Sequence, residues 1–251
     1  MRISGSIFTQ LKAHLKLNPT LRKLKRRLDL LQIVKFDIFE HLISEISEHD
    51  VSVVIDVGAN VGQFGFDLRK AGYSGQIYSF EPTTNAFQEL VKTSRNDRDW
   101  HIFRVALGSI NGAARINISG NSSLSSSFLK VNPKHLEIFP NSHTISQEEV
   151  TVNTLDTVFS ENFIDPNKVL LKIDTQGFEL EVLRGALKAL EFIPLCFLEI
   201  SITELYEEEP KMLEILNLLN EYGKNVSNMT PGVTKTNGEI LQFDLLAKKI
   251  N

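Results

Sequence analysis

The sequence predicts an α/β fold with a mostly parallel β-sheet that is covered by helices on both faces. Short apolar runs alternate with segments whose apolar residues recur at helical spacing, and this alternation is typical of parallel strands joined by crossover helices. The chain has 251 residues, of which 42% are hydrophobic, so it is long enough to bury one sizeable core. We expect one catalytic-sized domain over residues 50–251, preceded by a basic helical extension over residues 1–49.

The elements of this fold follow one another in a regular order. Apolar residues at helical spacing predict one or two amphipathic helices between residues 20 and 49. Five apolar runs then predict strands at 51–57, 76–81, 100–107, 169–174 and 195–200. Helical patterns predict helices at 62–71, 84–95, 178–191 and 210–222. The stretches 224–230 and 240–247 predict an antiparallel strand pair at the sheet edge.

The segment 108–150 interrupts this order. Asn111-Gly112 predicts a turn, the run ARINIS predicts a short strand, and GNSSLSSSF at 120–128 predicts a polar loop. Long irregular loops inside a compact α/β domain are usually lids or substrate loops. We therefore expect this segment to contact a substrate.

The net charge of −4 is distributed unevenly along the chain. Residues 1–27 hold eight Lys or Arg and no acidic residue, whereas the rest of the chain carries 19 basic and 31 acidic residues. This basic segment is either a solvated helix face or a peripheral contact for an anionic membrane surface. Aromatic residues do not alternate with its charges as they do in a nucleic-acid platform, so we expect no nucleic-acid partner.

The single cysteine and the N-terminal residues bear on the compartment. Cys196 lies in the apolar run LCFLEI, which predicts a buried side chain and excludes a disulfide within the chain. Residues 1–20 lack the apolar core of a signal peptide, and no window approaches the length of a membrane span. We therefore expect a cytoplasmic protein. The sequence does not indicate its oligomeric state.

The stretch VVIDVGANVGQFG at 53–65 predicts a strand, a tight turn and a helix. Ligands of open α/β sheets bind at the carboxyl ends of the strands, so Gly58, Ala59 and Asn60 are expected to face a cofactor. Gly62 is expected to let the helix approach the sheet and the ligand closely. A dinucleotide turn needs glycine where Asn60 stands, and Asp56 would put negative charge near a pyrophosphate.

We interpret this turn as one that binds a cation. An acid at position 56 suits a group such as the α-amino group of S-adenosylmethionine, held directly or through water. The next strand, QIYSFEP, ends in Glu81, 23 residues beyond Gly58, where a carboxylate can accept both ribose hydroxyls. Both NAD and S-adenosylmethionine carry that ribose, so Glu81 alone does not discriminate between them, and it can also be a solvated acid.

A second group of candidate residues lies in VLLKIDTQGFELEVLRG at 169–185. Lys172 interrupts an apolar strand and must be paired if it is buried, and Asp174 lies on the same face of the strand. We predict Asp174 as general base or acceptor-orienting group, with Lys172 tuning its charge, unless the two form a purely structural ion pair. Glu199 ends the following strand, where it either positions substrate or meets solvent.

The histidines give no indication of a metal site. The six of them show neither an HExxH pattern nor another close ligand spacing. Asp174, Glu179 and Glu199 are oxygen ligands of the type that divalent ions accept, but carboxylates at the rim of a sheet are more often solvated. We expect no bound metal.

Three blocks resemble the FkbM family of S-adenosylmethionine-dependent methyltransferases over roughly residues 50–200. They are VVIDVGANVGQF, then YSFEP followed by VALGS, and finally VNTLDTVF with LLKIDTQGFELEVLRGA. Many methyltransferases share the first block, whereas the third block occurs in a much narrower set of proteins and is the most specific of the three. The resemblance implies a class I methyltransferase, Rossmann-like fold: a mostly parallel seven-stranded sheet with helices on both faces and a C-terminal antiparallel strand pair.

The resemblance also implies O-methylation of a hydroxyl on a sugar, glycolipid or polyketide-like metabolite. It implies that the cofactor is held by Asp56, Gly58, Asn60, Glu81-Pro82 and the Ala106-Leu107 corner, with Asn121, Ser122 and Ser123 as further contacts. Asp174 and its neighbours would face the acceptor. Two alternatives stay open: an NAD-dependent oxidoreductase, which lacks a recognisable hydride-transfer base here, and a non-catalytic, membrane-associated scaffold that binds the cofactor.

Overall fold

A computed structural model describes residues 38–121 and 123–249 of the chain. The described residues form the helices α1 (Ile38–Glu48), α2 (Gln63–Lys70), α3 (Thr84–Ser94), α4 (Pro133–Ile138), α5 (Leu155–Asn162), α6 (Glu179–Arg184), α7 (Leu187–Leu190) and α8 (Met212–Glu221). Short 3₁₀ turns cover Pro140–Ser142 and Pro166–Lys168. The basic segment 1–27, and the part of the N-terminal helical prediction before Ile38, lie outside the described residues.

The same residues form ten strands in two sheets. These are β1 (Val53–Val57), β2 (Gln76–Phe80), β3 (Trp100–Phe103), β4 (Ala106–Leu107), β5 (Gly112–Ser119), β6 (Thr144–Asn153), β7 (Val169–Ile173), β8 (Leu195–Ser201), β9 (Lys224–Pro231) and β10 (Gln242–Lys249). The larger sheet has seven strands in the order β3-β2-β1-β7-β8-β10-β9. Neighbours from β3 to β8 are parallel, and β10 runs antiparallel to both β8 and β9.

The order of the strands locates the site. The chain passes outward from β1 to β2 and β3, then returns to pair β7 with the other edge of β1. This reversal between β1 and β7 is a topological switch point, and ligands of such sheets bind outside the carboxyl ends of the two strands. Residues that follow Val57 and Ile173 therefore lie at the expected site.

Helices cover both faces of the larger sheet. Val53, Ile55 and Val57 of β1 point to one face, where α5 to α8 pack, and their core includes Leu155, Leu183 and Ile215. Val54 points to the other face, against α1, α2 and α3, and its core includes Leu42, Leu68 and Leu90. Every residue of β1 and β7 is buried, as expected for parallel strands covered on both sides. The predicted α/β architecture is confirmed.

The helix α1 packs with the helices that cover the larger sheet. Leu42 and Ile46 are buried in the same core as Leu68 of α2, and the compact unit of the chain begins at Ile38. We propose that the domain that contains both sheets includes α1 and therefore begins before residue 50.

The segment 108–150 differs from the prediction. It holds β5 and most of β6, which pair antiparallel and, with the preceding β4, form a three-stranded sheet of order β4-β6-β5, instead of one short strand and a long loop. The missed strand β6 reads TISQEEVTVN and buries Val150 and Val152 against Ile116 and Ile118. Most of its residues are exposed, so its sequence lacks the apolar run by which the other strands were predicted.

Two further predicted elements are each divided in two. The predicted strand 100–107 ends at Phe103 and resumes as β4, which joins the small sheet. The predicted helix 178–191 is broken between α6 and α7. A Cβ atom at Gly185 would overlap the carbonyl oxygen of Gly108. The backbone directly after β4 therefore lies against the chain between α6 and α7.

The C-terminal pair agrees with the prediction: β9 and β10 are antiparallel, and β9 forms the sheet edge. Cys196 is fully buried, as predicted. Among the helices within residues 38–121 and 123–249, none combines the length and the apolar composition that crossing a membrane requires.

Candidate active site

A cavity of about 300 Å³ lies outside the carboxyl ends of β1 and β7. Most of the predicted site residues line it: Gly58, Ala59, Asn60, Glu81, Pro82, Ala106, Leu107, Lys172, Asp174 and Glu199. They come from the two central strands, from β2 and β8 and from the small sheet. The structure therefore brings together residues that lie up to 141 positions apart in the sequence, from Gly58 to Glu199.

The turn after β1 passes directly against the backbone that follows β7. Gly58 has a φ of +73°, and a Cβ atom there would overlap the carbonyl oxygen of Asp174. Asn60 also has a positive φ, of 48°, which asparagine tolerates better than most residues. The glycine is thus required by both the backbone conformation and the close approach of two strand ends.

The N–H groups of residues 58–62 are all donated within the protein. The carbonyl of Phe80 accepts the N–H groups of residues 58 and 59 at 3.0 Å each. The carbonyl of Ala59 accepts the N–H group of residue 62 at 2.8 Å. Glu81 Oε2 accepts the N–H group of residue 60 at 2.9 Å, and Oδ1 of Asn60 accepts the N–H group of residue 61 at 2.8 Å. Among these five residues, no N–H group is left to bind a phosphate as in a dinucleotide turn.

Glu81 is held rigidly at the rim of the cavity. Its Oε1 accepts hydrogen bonds from the backbone N–H of Thr83 at 2.9 Å and from the Thr83 hydroxyl at 2.6 Å. Burial raises the pKa of the Glu81 carboxyl, although the bonds from Thr83 and from the N–H of Asn60 oppose the increase. A carboxylate oxygen can accept more than one hydrogen bond, so Glu81 can also accept the hydroxyls of a bound ribose.

Asp56 does not lie where the sequence analysis placed it. Its side chain is 0% exposed and lies 2.9 Å from Lys172 Nζ, and the Ser79 hydroxyl donates to Oδ2 at 3.0 Å. Asp56 and Lys172 are register partners on the adjacent strands β1 and β7, so their side chains point to the same face of the sheet. The cation that faces Asp56 is therefore Lys172, and the prediction of direct cofactor binding is corrected.

Lys172 holds the two central strands together. Its ammonium donates to the carbonyls of Gly58 at 3.1 Å and Val57 at 3.5 Å, and it lies 3.7 Å from Asp174 Oδ2. Burial disfavours the charged form, but the negative charges of Asp56 and Asp174 outweigh burial and raise the pKa of Lys172. Its hydrogens are thus directed at β1, which makes Lys172 a structural cation beside the site.

Asp174 and Glu199 face each other across the side-chain amide of Gln176. Nε2 of Gln176 lies 2.9 Å from Asp174 Oδ1 and 2.9 Å from Glu199 Oε2, and Gln242 also donates to Glu199 Oε2, at 3.0 Å. The Asp174 side chain is 36% exposed, so it is accessible from the cavity. Gln176 lines the cavity as well, and the sequence analysis did not single it out.

Several carboxyl groups surround this pair. Asp244 of β10 is the register partner of Glu199 and lines the cavity. Burial, together with the charges of Asp174, Glu179 and Asp244, raises the pKa of Glu199 well above its ordinary value. Burial and the charge of Asp174 raise the pKa of Asp244 to about 6. Of the two carboxyl groups bound by Gln176, that of Asp174, with 36% of the side chain exposed, is the one that a bound molecule can reach from the cavity.

Two other predicted cofactor residues have structural roles. A Cβ atom at Gly62 would lie 2.9 Å from Leu90 and 3.3 Å from Trp100, so this glycine allows α2 to pack against α3 and β3. The Asn121 side chain bonds the hydroxyls of Ser119 and Ser125 and is not part of the cavity lining. Neither Gly62 nor Asn121 is among the residues that line the cavity. The close approach predicted for Gly62 is found toward the sheet, at Trp100 of β3, and Ser122 lies outside the described residues.

The serine-rich stretch reaches the cavity through residues that follow Ser122. Ser123, Leu124, Ser126, Ser127 and Phe128 line it. The carbonyl of Ser123 accepts from Asn60 Nδ2 at 3.4 Å, and the Ser127 hydroxyl donates to the carbonyl of Gln176 at 2.7 Å. The sequence signals for these contacts were the interruption of the α/β order and the resemblance, which implied Ser123 but none of the four residues after it.

The described part of the chain shows no group of three or more His, Cys, Asp or Glu side chains arranged to hold a metal ion. The carboxyl groups around Asp174 are instead bonded to the amides of Gln176 and Gln242 or lie beside Lys172.

The strand order and the cavity at the switch point define a class I methyltransferase fold. The sequence model of the family described as "Methyltransferase FkbM domain" matches residues 56–226. This match covers more than half of the chain, so the chain belongs to the FkbM methyltransferase family.

Similar proteins include one curated relative and several solved structures. The hexuronic acid methyltransferase AglP of Haloferax volcanii is 29% identical over 190 residues, which are 72% of each chain. The structure of an rRNA methylase from Streptococcus thermophilus has a TM-score of 0.47 at 13% identity and covers 87% of this chain and 99% of its own. A magnesium protoporphyrin IX methyltransferase from Synechocystis PCC 6803 with bound SAM has a TM-score of 0.45 at 10% identity, with 100% of both chains covered.

Proposed function

We propose that this chain transfers the methyl group of S-adenosylmethionine to a hydroxyl of a sugar, glycolipid or related hydroxylated metabolite. Membership of the FkbM family supports methyl transfer. A sugar acceptor is supported by the likeness to AglP, whose name describes a hexuronic acid methyltransferase. The proposal for the cofactor rests on the turn after β1 and on the carboxyl groups that line the cavity.

The turn at residues 58–62 is the observation that carries the proposal for the cofactor. Its five N–H groups are donated to Phe80, Glu81 and the turn itself, so they do not offer the phosphate site that a dinucleotide needs. Glu81 remains available for ribose hydroxyls. This arrangement favours S-adenosylmethionine, which has a ribose and no phosphate, over NAD.

The charges of the cavity fit the same cofactor. Glu81, Asp174, Glu199 and Asp244 line it, and Lys172, the cation among them, is paired with Asp56. A sulfonium and an ammonium group are better accommodated by such a surface than an anionic pyrophosphate is. We propose that Gly58, Ala59, Asn60, Glu81, Pro82, Ala106 and Leu107 contact the cofactor.

Asp174 is the proposed general base. When bound, S-adenosylmethionine supplies a methyl carbon that is already electrophilic, so the protein mainly aligns the reactants. The acceptor oxygen forms a bond to the methyl carbon as the carbon–sulfur bond breaks, and the hydroxyl proton passes to the Asp174 carboxylate. Glu199, on the other side of the Gln176 amide, can orient the acceptor through a hydrogen bond.

The experiment incubates the purified chain with methyl-labelled S-adenosylmethionine and a panel of hexosides, hexuronosides and glycolipids. We expect labelled product that survives mild alkali, because a methyl ether is stable where a methyl ester is hydrolysed. Asp174→Asn should lower turnover by about 10²–10⁴-fold and leave the affinity for S-adenosylhomocysteine within about threefold, which is less than 1 kcal/mol. An alkali-labile product would contradict methylation of a hydroxyl, and an active Asp174→Asn variant would contradict the role of the base.

A further inference from the structure

We infer that Gln176 is a positioning residue that holds the Asp174 carboxylate, through a side-chain amide shared with Glu199, in the orientation that accepts the acceptor proton. This inference rests on the proposed function, because it concerns the same base. It adds a residue that lines the same cavity and is not among those proposed above to contact the cofactor.

The backbone at Gln176 adopts a conformation that favours glycine. Its φ is +56°, and it precedes Gly177, whose φ is +92°. A non-glycine residue in this region is strained and persists only where the surroundings determine its conformation. Glycine would be less costly at position 176, so the side chain itself must contribute something that offsets the strain.

The orientation of the amide is fixed by its neighbours. Both hydrogens of Nε2 are directed at carboxyl oxygens, Asp174 Oδ1 and Glu199 Oε2, each at 2.9 Å. Oε1 accepts the hydroxyl of Tyr206 at 2.8 Å. Tyr206 is fully buried, and its hydroxyl is nearer to Oε1 of Gln176, at 2.8 Å, than to the carbonyl of Ser125, at 3.3 Å. Because carboxylate oxygens accept hydrogen bonds, the NH₂ end of Gln176 faces the two acids.

The loop that carries Gln176 is anchored on both sides. The Ser127 hydroxyl donates to the carbonyl of Gln176. Oε1 of Glu179 accepts the N–H groups of Thr175 and Gly177 at 2.9 and 3.1 Å, which tethers the residues before and after it. With the backbone fixed in this way, the amide is preorganised, which is what a group that orients a base requires.

The charges that face Asp174 leave a specific role for the amide. Glu199 of β8, Asp244 of β10 and Glu179 of α6 present negative charge to Asp174. Lys172 of β7 is the facing cation, but it lies closer to Asp56, at 2.9 Å, than to Asp174, at 3.7 Å. The N–H of Gln176 is the nearest donor to Asp174, and it stabilises the carboxylate form against the surrounding acids.

The test compares the pH dependence of kcat for the wild-type chain, Gln176→Met and Gln176→Glu, at saturating S-adenosylmethionine and the hexoside or hexuronoside that gives most labelled product with the wild-type chain. Gln176→Met keeps the length of the side chain and removes both N–H donors. We expect the acid limb of the profile to move to higher pH by about one unit, the shift that corresponds to losing about 1.4 kcal/mol of charge stabilisation. Gln176→Glu, which adds a third carboxyl to the pair, should move it further in the same direction.

Matched variants exclude a merely structural effect. Gln88→Met, at an exposed position of α3, should leave the profile unchanged. Tyr206→Phe removes the bond to Oε1 of Gln176 and should move the acid limb in the same direction by less. Binding of S-adenosylhomocysteine by each variant shows that it is folded.

Two outcomes overturn the inference and are distinct from failure of the proposed function. An unchanged acid limb in both Gln176 variants, with Asp174→Asn inactive, removes Gln176 from the mechanism and keeps the base. If Gln176→Met does not fold, an unchanged profile of Gln176→Glu has the same meaning. If Asp174→Asn is itself fully active, the base is wrong, and the inference falls with it.

Discussion

Lys172 shows how far the partners of a buried charge can be predicted from sequence. A lysine within an apolar strand predicts a partner, and the sequence offered Asp174, two residues later on the same face. The structure adds a closer partner, Asp56 at 2.9 Å, on the adjacent strand. This pairing depends on the register of β1 with β7, and two parallel strands separated by more than 100 residues carry no local signal for their register.

Removing this buried lysine should therefore lower the free energy of unfolding more than removing a lysine at the surface does. Lys172→Met leaves Asp56 buried without its cation, which typically costs 3–5 kcal/mol. Equilibrium denaturation with urea measures the difference. The matched control is Lys168→Met, which breaks the solvent-exposed ion pair with Asp50 and should cost less than about 1 kcal/mol. Equal losses in the two variants would show that Lys172 and Asp56 do not depend on each other.

Glu81 allows a test of the cofactor site with little change in shape. Glu81→Gln keeps the volume of the side chain but removes the negative charge from the rim of the cavity. We expect the affinity for S-adenosylhomocysteine to fall by roughly 1.5–3 kcal/mol, about 10- to 150-fold. Calorimetric titration measures it. Glu89→Gln, exposed on α3, is the matched control, and a similar affinity for both variants would remove Glu81 from the cofactor site.

Asp244 links the site to the pH dependence of stability. Its pKa is raised from 3.8 to about 6 in the folded chain, so the folded state binds more protons than the unfolded state between these values. Stability therefore falls as pH rises through this window. Asp244→Asn should remove that cost, and its advantage over the wild-type chain should grow from near zero at about pH 4 to roughly 1–3 kcal/mol at about pH 7. A difference that does not vary with pH would contradict the shift.

At the scale of elements, apolar patterning determined what could be predicted. The strands of the large sheet and the helices that cover it are evident from runs and helical periods, because each buries at least one face. The strand β6 was missed because only part of it is buried. The break between α6 and α7 was missed because the apolar period continues through Gly185, and the contact with Gly108 that explains it is not local.

The turn after β1 depends on a contact between two elements, and Gly58→Ala tests it. The added Cβ atom would overlap the carbonyl oxygen of Asp174 at a φ of +73°. We expect a loss of at least about 2 kcal/mol in the free energy of unfolding. The control is Gly72→Ala, where φ is +105° and no atom lies within 4 Å of the added Cβ, so it reports backbone strain alone. Equal losses would show that the contact with Asp174 contributes nothing.

At the scale of the whole molecule, the strand order assembles the site. The rule for open α/β sheets predicts a site at the ends of β1 and β7, and the structure has a cavity there that Gly58, Glu81, Asp174 and Glu199 line. The rule gave no account of Asp244 and Gln242. They reach the site because β10 inserts between β8 and β9, and the sequence predicts the pair of strands without predicting which of the two contacts β8.

The central claim is that the cavity binds S-adenosylmethionine rather than a dinucleotide, and calorimetric titration of the full chain with S-adenosylhomocysteine and, separately, with NAD tests it most directly. The N–H groups of residues 58–62 are already donated within the protein. We therefore expect S-adenosylhomocysteine to bind with a Kd of micromolar order, about −8 kcal/mol, and NAD not to bind. Binding of NAD alone, or of neither ligand, would contradict the account.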